Sequence, residues 1–198
     1  MARPRKDCEG PSAKRRMEDA FWEALREKPF SKISVADIAQ LAQVNRNAFY
    51  YHFDNMADLA RAAIAGRIPI SLFRSVLPSL KQGEAPPLSL LTDPVNEANY
   101  AKLWLLAGPH GTYELANIAK STLIGAWLDE FGLEGDDLNE SDLVSLTFVV
   151  GGMLNVIGSS DGQGWGTHPL EHIWSSPIIA AALSSVPDIF EQAASRIR

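Results

Sequence analysis

The chain has 198 residues, and 46% of them are hydrophobic, so it can bury the core of one domain or of a small domain joined to a larger one. A single cysteine excludes an internal disulfide, and no stretch approaches the roughly 20 apolar residues that span a bilayer, so we expect a protein of the reducing cytoplasm. The net charge of −6 is divided unevenly: residues 1–66 carry 11 basic and 9 acidic side chains, whereas residues 67–198 carry 7 and 15. This split is typical either of a nucleic-acid-binding head on an acidic body or of a basic tail on an ordinary protein.

Residues 1–11 combine basic side chains with two prolines and a glycine and are predicted to be a flexible basic arm. Such an arm would either reach DNA phosphates and a minor groove or serve only as a solubilising tail. A helix is predicted from about Ala13 to Lys28, with Ser12 as its N-cap and Pro29 at its end. Its apolar residues recur at helical spacing and form one stripe: Met17, Ala20, Phe21, Ala24 and Leu25.

Two short helices with the same start signals follow, at about Val35 to Ala42 and Arg46 to His52. Ser34 and Asn45 are suited to cap them, and a hydrophobic residue stands one position before each cap and four after it. Two helix starts eleven positions apart leave room for about two turns of helix and a tight turn, which predicts a helix-turn-helix. The preceding helix would cover their apolar faces, so residues 12–54 are expected to form one three-helix unit.

The second of these short helices has an unusual polar face. At roughly 100° per residue, Phe49, His52 and Phe53 fall together on the inner side. Arginine can fork onto guanine, asparagine can pair with adenine, and tyrosine hydroxyls suit phosphate oxygens. This face therefore predicts contact with DNA. The alternative is an ordinary solvent-exposed face that carries some aromatic residues. The outward residues are Asn47, Tyr50 and Tyr51, with Arg46 at their edge.

The rest of the chain shows no β alternation of any length, so the predicted fold class is all-α with about nine or ten helices. A fourth helix should start near Met56 and be kinked or interrupted near Ala65 or Gly66, because Pro69 follows. Residues 55–198 are expected to form a larger helical body. Its further predicted helices are about Asn96–Ala107, Thr112–Phe131, Asp142–Gly158 and a helical tail with starts or kinks at Pro177 and Pro187.

The predicted helix at about Asp142–Gly158 is apolar on nearly every side. It is therefore buried within its own domain, or it packs on its own core with one side and on a partner subunit with the other. Gly151 and Gly152 each lower helix propensity by about 1 kcal/mol, and the close approach of another helix would offset this cost.

The stretch from Ser34 to Leu59 resembles the DNA-binding domain of the TetR (tetracycline-repressor-like) family of bacterial regulators, and the resemblance extends over about residues 12–65. The family pattern is a Ser or Thr cap, an Ile-Ala pair, Ala-x-Val before the turn, a small polar cap, a hydrophobic-Tyr-x-His-Phe run and an acidic-Leu pair. In this chain these are Ser34, Ile38-Ala39, Ala42 and Val44, Asn45, Phe49-Tyr50-Tyr51-His52-Phe53 and Asp58-Leu59.

Three positions depart from the family pattern. Gln43 stands where the family usually has a glycine in the turn, so a backbone forced to positive φ would be strained there. Met56 stands where a lysine often touches phosphate or caps the fourth helix. Asn47 and Ala48 replace residues that are often glycine and threonine, which indicates a distinct operator sequence.

The resemblance implies a homodimer whose two recognition helices lie about one DNA turn apart, roughly 34–36 Å, on a near-palindromic operator. The implied phosphate contacts are Ser34, Tyr50 and His52, and the implied base-edge contacts are Arg46, Asn47 and Tyr51. As an alternative to a phosphate contact, His52 would cap or pack at the end of its helix. The last two long helices would form the dimer interface, with Phe148, Gly151, Gly152, Asn155, Ile178, Ala182, Val186 and Ile189 as candidates.

Proteins of this family usually hold a small-molecule effector in the body, and its binding spreads the heads so that the protein leaves DNA. Repression is the commoner outcome in the family. Five tryptophans, four of them beyond residue 100, favour an apolar or aromatic effector here. The alternative for each aromatic residue is an ordinary core position. The candidate pocket residues are Phe73, Tyr100, Trp104, Tyr113, Trp127, Phe148, Asn155 and Trp174.

Two other functions are weighed against this interpretation. The chain has no catalytic motif, phosphate-binding loop or paired cysteine, so an enzyme is not expected and no cofactor is predicted. His168 and His172 stand four residues apart with Glu171 beside them, and could seed a metal site with His110 as a distant third ligand; ordinary helix capping is the alternative. The second alternative function is that of a TetR-like activator, or of a partner-binding module that takes no effector.

Overall fold

The computed structural model describes residues 12–67, 70–82, 84, 89, 93–159 and 175–197. Every regular element in these ranges is helical, which confirms the predicted all-α class with a helix-turn-helix near the N-terminus. Short 3-10 turns occupy Phe30–Lys32 and Gly135–Asp137. The α-helices are α1 (Ala13–Glu27), α2 (Val35–Leu41), α3 (Arg46–His52), α4 (Met56–Ala65), α5 (Ile70–Lys81), α6 (Pro94–Ala107), α7 (Tyr113–Phe131), α8 (Glu140–Ser159), α9 (Pro177–Ser184) and α10 (Val186–Arg196).

Helix α1 covers the apolar faces of α2, α3 and α4, as its stripe predicts. Phe21 and Leu25 of α1 are fully buried, and so is Phe49 of α3. Full burial of such a side chain contributes about 1.5–3 kcal/mol. The two short helices of the helix-turn-helix therefore depend on α1 for most of their stability.

A hydrogen bond from α1 fixes the turn between α2 and α3. Arg16 Nε donates to the carbonyl oxygen of Ala42 at 3.0 Å, and Ala42 is the C-cap of α2. A cation at a helix C-terminus is also favoured by the helix dipole. Arg16 therefore helps to set the position at which α3 begins.

The turn itself contains the strain that the sequence predicts. Gln43 has φ = 53°, and it is the only non-glycine residue with positive φ in the described ranges. A left-handed conformation costs an L-residue with a Cβ roughly 1–2 kcal/mol. The backbone hydrogen bond from Val44 N to Ala39 O, at 2.9 Å, closes the turn around it.

Helix α4 joins the head to the body. Leu59, Ala60, Ala63 and Ile64 are fully buried, and α4 packs against α1 on the head side and α7 on the body side. The helix ends at Ala65 with Gly66 as its C-cap, which confirms the predicted interruption. Helix α5, which starts at Ile70, is a separate helix.

The body is built around α6, α7 and α8, which pack on one another, with α10 lying across α5 and α7. Trp127 of α7 is 1% exposed, and its ring centroid lies 6.0 Å from that of the fully buried Phe190 of α10. Phe131 stacks on the other side of Phe190 at 5.0 Å. These aromatic rings tie the C-terminal helix to the middle of the body.

A glycine allows α8 to approach the end of α6 closely. A Cβ at Gly158 would lie 2.1 Å from the carbonyl oxygen of Ala107, a distance no side chain can tolerate. A Cβ at Gly151 or Gly152 would meet no atom within 4 Å. The close contact expected at Gly151 and Gly152 is therefore not made within the described chain, and Gly158 makes one instead.

Helix α8 begins with a reciprocal cap. Asn139 N donates to Asp142 Oδ2 and Asp142 N donates to Asn139 Oδ1, both at 3.0 Å, so Asn139 caps the helix. Asp142 is 7% exposed and forms an ion pair with Arg196 of α10. This pair holds the end of the C-terminal helix against the start of α8.

Helix α8 also corrects one expectation from the sequence. An 18-residue window of this 20-residue helix has a mean hydropathy of 1.5, so by length and composition the helix is apolar enough to cross a membrane, although no such stretch was expected. Only 28% of that window is buried within the chain. Helices of globular proteins also pass this test, and α8 packs with one side on α6 and α7.

The predicted helical tail is two helices. Pro177 is the first residue of α9 and Pro187 the second of α10, positions where a missing N–H costs nothing. Ser185 alone separates the two helices.

Candidate nucleic-acid interface and cavities

Helix α3 presents its polar face to solvent. Asn45 caps it by accepting a hydrogen bond from Ala48 N at 2.8 Å. Phe49 is fully buried and anchors the opposite face. Arg46, Asn47, Tyr50 and Tyr51 are exposed, with Tyr50 at 59% and Tyr51 at 83%.

Aromatic contacts orient the exposed tyrosines. The Tyr50 ring meets Phe49 edge-on at a centroid distance of 5.4 Å, and the Tyr51 ring meets His52 edge-on at 4.9 Å. Edge-to-face pairs of this kind restrict ring motion and are worth about 0.5–1.5 kcal/mol each. His52 is half-buried, so it lies between the two roles considered for it, phosphate contact and packing at the helix end.

Ser34 is exposed at the start of α2, but its hydroxyl is already engaged. Its Oγ donates to Asp37 Oδ2 at 2.7 Å and accepts from Asp37 N at 3.3 Å. Ser34 N also donates to Asp37 Oδ2 at 2.7 Å, which completes a capping box. A phosphate contact from this hydroxyl would require the bond to Asp37 to break, so its structural role is the cap.

Asp37 is the acidic member of that box and is ionised under ordinary conditions. Lys28 Nζ lies 2.9 Å from Asp37 Oδ1. The hydrogen-bonded lysine first, and then the hydroxyl and backbone N–H of Ser34, hold the pKa of Asp37 well below its usual range. Lys28 in turn neutralises the one carboxylate at the start of α2, which favours the approach of a phosphate.

The predicted arm, residues 1–11, lies outside the described residues. Arg16, which follows it in α1, bonds to the carbonyl of Ala42 and therefore acts inside the head. This positioning role was missed because spacing alone does not reveal a contact between residues 26 positions apart.

Two cavities formed by described residues share Tyr113 and Asn117 of α7. The first, the α4–α7 groove, has a volume of about 660 Å³ and is lined by Arg61, Ala65, Tyr113, Glu114, Asn117, Ile118, Ser121 and Thr122. The second, the α7–α8 cavity, has a volume of about 320 Å³ and is lined by Ala107, Tyr113, Ala116, Asn117, Lys120, Thr147, Gly151, Leu154 and Asn155.

The predicted pocket residues do not gather at one cavity. Tyr113 and Asn155 line the α7–α8 cavity, whereas Trp127 is buried against Phe190 and Phe148 is 74% exposed. Trp127 is therefore a core residue rather than a pocket wall. Tyr100 and Trp104 are half-buried against the core, Phe73 belongs to α5, and Trp174 lies outside the described residues.

The residues predicted for a dimer interface differ in exposure. Phe148 and Ile178 are 74% and 81% exposed, and Gly152 and Asn155 are also exposed. Val186 is fully buried in the chain's own core, so it is not part of an exposed face. The remaining three, Gly151, Ala182 and Ile189, are half-buried. Val144, 69% exposed on α8, was not predicted and lies beside Phe148.

His110 connects body and head. It lies between α6 and α7, and its Nδ1 is 2.7 Å from the carbonyl oxygen of Leu25 in α1. A carbonyl only accepts, so Nδ1 carries the proton. Phe30 N donates to the His110 carbonyl at 2.9 Å. We refer to this pair of bonds as the His110 latch. The described residues contain no cluster of three metal-ligating side chains, and His168, Glu171 and His172 lie outside them.

A buried three-helix scaffold that holds a short helix with an exposed Arg-Asn-Tyr-Tyr face, joined to a helical body, defines a helix-turn-helix DNA-binding protein. Residues 19–63 match the sequence profile of the family described as bacterial regulatory proteins, tetR family. The chain therefore carries a TetR-family DNA-binding domain, as the residues from Ser34 to Leu59 predict, and this domain supports the role of a DNA-binding transcriptional regulator. A search among curated proteins finds no match to the chain.

Proposed function

We propose that the protein is a homodimeric repressor that binds a near-palindromic operator through α3 and leaves it when a small molecule binds in the body. The face of α3 carries this proposal. Four side chains suited to base edges and phosphates are exposed on it, while Phe49 fixes the opposite side in the head core. The edge-to-face contacts of Tyr50 and Tyr51 leave more than half of each side chain exposed, so contact with a ligand surface best explains this pair.

The contacts divide by chemistry. Arg46 and Asn47 stand on the first turn of α3, where recognition helices meet base edges, and Tyr51 borders them. Tyr50 supplies a hydroxyl and His52 a ring N–H to phosphate, whereas the Ser34 hydroxyl, which is bonded to Asp37, acts as the cap of α2. Residues 1–11 supply further cations to the backbone. Because the net charge of the body is negative, DNA is held at the head alone.

The test is selection of bound sequences from random duplex DNA with the purified protein, followed by measurement of affinity for the selected site. We expect an inverted repeat whose half-sites lie about one helical turn apart. Arg46→Ala combined with Tyr50→Ala should lower affinity for that site at least tenfold, since each base or phosphate contact is worth about 1–3 kcal/mol.

Val95→Ala is the control, since Val95 is 64% exposed but lies on α6, and it should bind the operator like the wild type. Circular dichroism and thermal unfolding verify that both variants are folded. If the double variant binds the operator as tightly as the wild type, with the same salt dependence, α3 is not the recognition helix.

The dimer is proposed from the exposed apolar side chains of α8 and α9. Val144 and Phe148 on α8 and Ile178 on α9 are each more than two-thirds exposed, and Gly151 and Gly152 leave open space beside them. Contiguous apolar surface of this kind marks an interaction site. Glycines next to it would let a second copy of α8 approach closely.

Phe148→Arg should convert the dimer into a monomer, because it places a charge in the centre of this patch. Light scattering coupled to size exclusion measures the mass, which should be that of two wild-type chains and of one variant chain. Val95→Arg is the matched control, since Val95 is 64% exposed on α6 outside the patch. A dimeric Phe148→Arg variant would place the interface elsewhere.

Three finer parts of the proposal follow from the same arrangement. Residues 12–54 with the arm 1–11 act as the DNA-binding unit, and residues 55–198 form the effector-binding and dimerisation body. The protein works in the bacterial cytoplasm on the nucleoid, and it is not an enzyme. A reporter gene behind the selected operator distinguishes repression from activation, because a repressor lowers its expression and an activator raises it.

A further inference from the structure

The lining of the α7–α8 cavity is more polar than the apolar or aromatic effector expected from the sequence would require. Its polar lining consists of one cation, two carboxamides and two hydroxyls, from Lys120, Asn117, Asn155, Thr147 and Tyr113. No carboxylate lines it. The apolar part is small, from two alanines, a leucine and Gly151. A site of this composition favours a negative charge carried on a compact apolar body.

The polar groups of the cavity are free to bind a ligand. No hydrogen bond or ion pair engages the side chains of Asn117, Lys120, Thr147 and Asn155 within the ranges that the structure describes. Lys120 is half-buried, so its charge is held near the cavity rather than extended into solvent. The cavity also lies beside the first turn of α7, where the helix dipole favours an anion.

The cavity opens on the same face of α8 as the apolar patch. Thr147, Gly151 and Asn155 are spaced four residues apart and line the cavity. Val144 and Gly151 are seven residues apart, so they point in directions within about 20° of each other. A second copy that covers Val144 and Phe148 would therefore also lie over Gly151 and the mouth of the cavity.

We propose that the α7–α8 cavity binds a small organic carboxylate, that Lys120 supplies the counter-charge, and that the second copy of the chain closes the site. The volume of about 320 Å³ lies at the lower end of the range for small-molecule sites. One lysine with two carboxamides matches a single negative charge. The apolar lining takes the remainder of the molecule. This inference rests on the proposed dimeric regulator and names the effector class of its body.

The experiment uses benzoate and hexanoate as probes, each paired with its primary amide, which has nearly the same shape and no charge. Isothermal titration of the full-length dimer measures binding. We expect at least one carboxylate to bind about ten- to a hundredfold more tightly than its amide, the range for a charge-assisted hydrogen bond. Lys120→Met should remove that preference. Lys102→Met, a half-buried lysine of α6 that does not line the cavity, should retain it.

A second variant tests closure by the partner. Val144→Gln combined with Phe148→Gln should yield a monomer that leaves every cavity residue unchanged, and its carboxylate affinity should fall at least tenfold. The inference is overturned if neither carboxylate is preferred over its amide, if Lys120→Met keeps the preference, or if the monomer binds as tightly as the dimer. Operator affinity and mass, measured on the same preparations, show separately whether the proposed dimeric regulator itself holds.

Discussion

Gln43 has a strained backbone conformation in the turn between α2 and α3. Its φ of 53° lies in the left-handed region, and its side chain is exposed, so no buried contact compensates for the strain. The turn holds this conformation because the bonds from Arg16 to Ala42 and from Val44 to Ala39 fix the backbone on both sides. The strain is therefore carried by neighbouring interactions.

Gln43→Gly should stabilise the protein by about 1 kcal/mol, since glycine adopts positive φ without the cost of a Cβ and this gain exceeds its greater entropy in the unfolded chain. Chemical denaturation measures the change. Gln40→Gly is the matched control: Gln40 is also exposed but lies inside α2, so that variant should be destabilised by about the same amount. Destabilisation by Gln43→Gly would mean that the side chain makes a contribution that exceeds the strain.

At the scale of the helix, α8 can pack closely on α6 because residue 158 is a glycine. The end of α6 and the end of α8 meet there, and a Cβ at Gly158 would overlap the carbonyl of Ala107. Since α8 lines the α7–α8 cavity and presents the exposed apolar patch, its seating against α6 sets the position of both surfaces.

Gly158→Ala should destabilise the protein by about 1–3 kcal/mol, the usual cost of forcing extra volume into a packed contact. The free energy of unfolding in denaturant measures it. Gly125→Ala is the control, because Gly125 lies inside α7 and a Cβ there meets no atom within 4 Å. That change should stabilise by up to about 1 kcal/mol. Equal effects of the two substitutions would show that α8 can move away from α6 at little cost.

The sequence predicts helices better than it predicts contacts between them. The caps Ser34, Asn45 and Thr112 are local signals, so the starts of α2, α3 and α7 are where the sequence places them. Burial of Val186 and Trp127 depends instead on how α10 crosses α7, which no periodicity encodes. A strong apolar face does not distinguish a side that meets the chain's own core from a side that is left open.

Of the predicted pocket residues only Tyr113 and Asn155 line a cavity formed by described residues, for a related reason. Most of the other polar lining comes from Asn, Thr, Ser, Lys and Arg side chains, which along the sequence are indistinguishable from an ordinary solvated helix surface. Aromatic residues are natural pocket candidates in a sequence, yet Trp127 is buried in the core and Phe148 is exposed on the surface. Only the crossing of α7 with α4 and α8 shows which polar residues share a concave space.

At the scale of the whole molecule, two of the contacts between head and body meet at α7 or just before it. One is α4, which packs on both α1 and α7. The other is the His110 latch, in which a residue three positions before α7 bonds to Leu25 in the last turn of α1. Tyr113, the first residue of α7, lines both cavities. A movement of α7 at its start would therefore reach the head through two separate contacts.

His110→Leu should loosen the head from the body, because it leaves the Leu25 carbonyl without its donor; the expected cost is about 0.5–1.5 kcal/mol. Hydrogen exchange should increase in Phe30–Lys32 and in the last turn of α1, and stay unchanged in α10. His110→Asn places an amide N–H near the position of Nδ1 and should restore most of the protection. Loss of protection in both variants alike would assign the effect to packing of the ring.

The double packing of α4 has a practical consequence for exchanging DNA specificities between regulators. A chimera joined after residue 54 would separate α1 from Leu59, Ala60, Ala63 and Ile64, which complete its apolar contacts. A graft that also carries α4 to Gly66 keeps those contacts, but it must then match the α7 surface of the recipient. Transplantable heads of this type therefore end after α4, and the recipient's α7 decides whether the graft still responds to its effector.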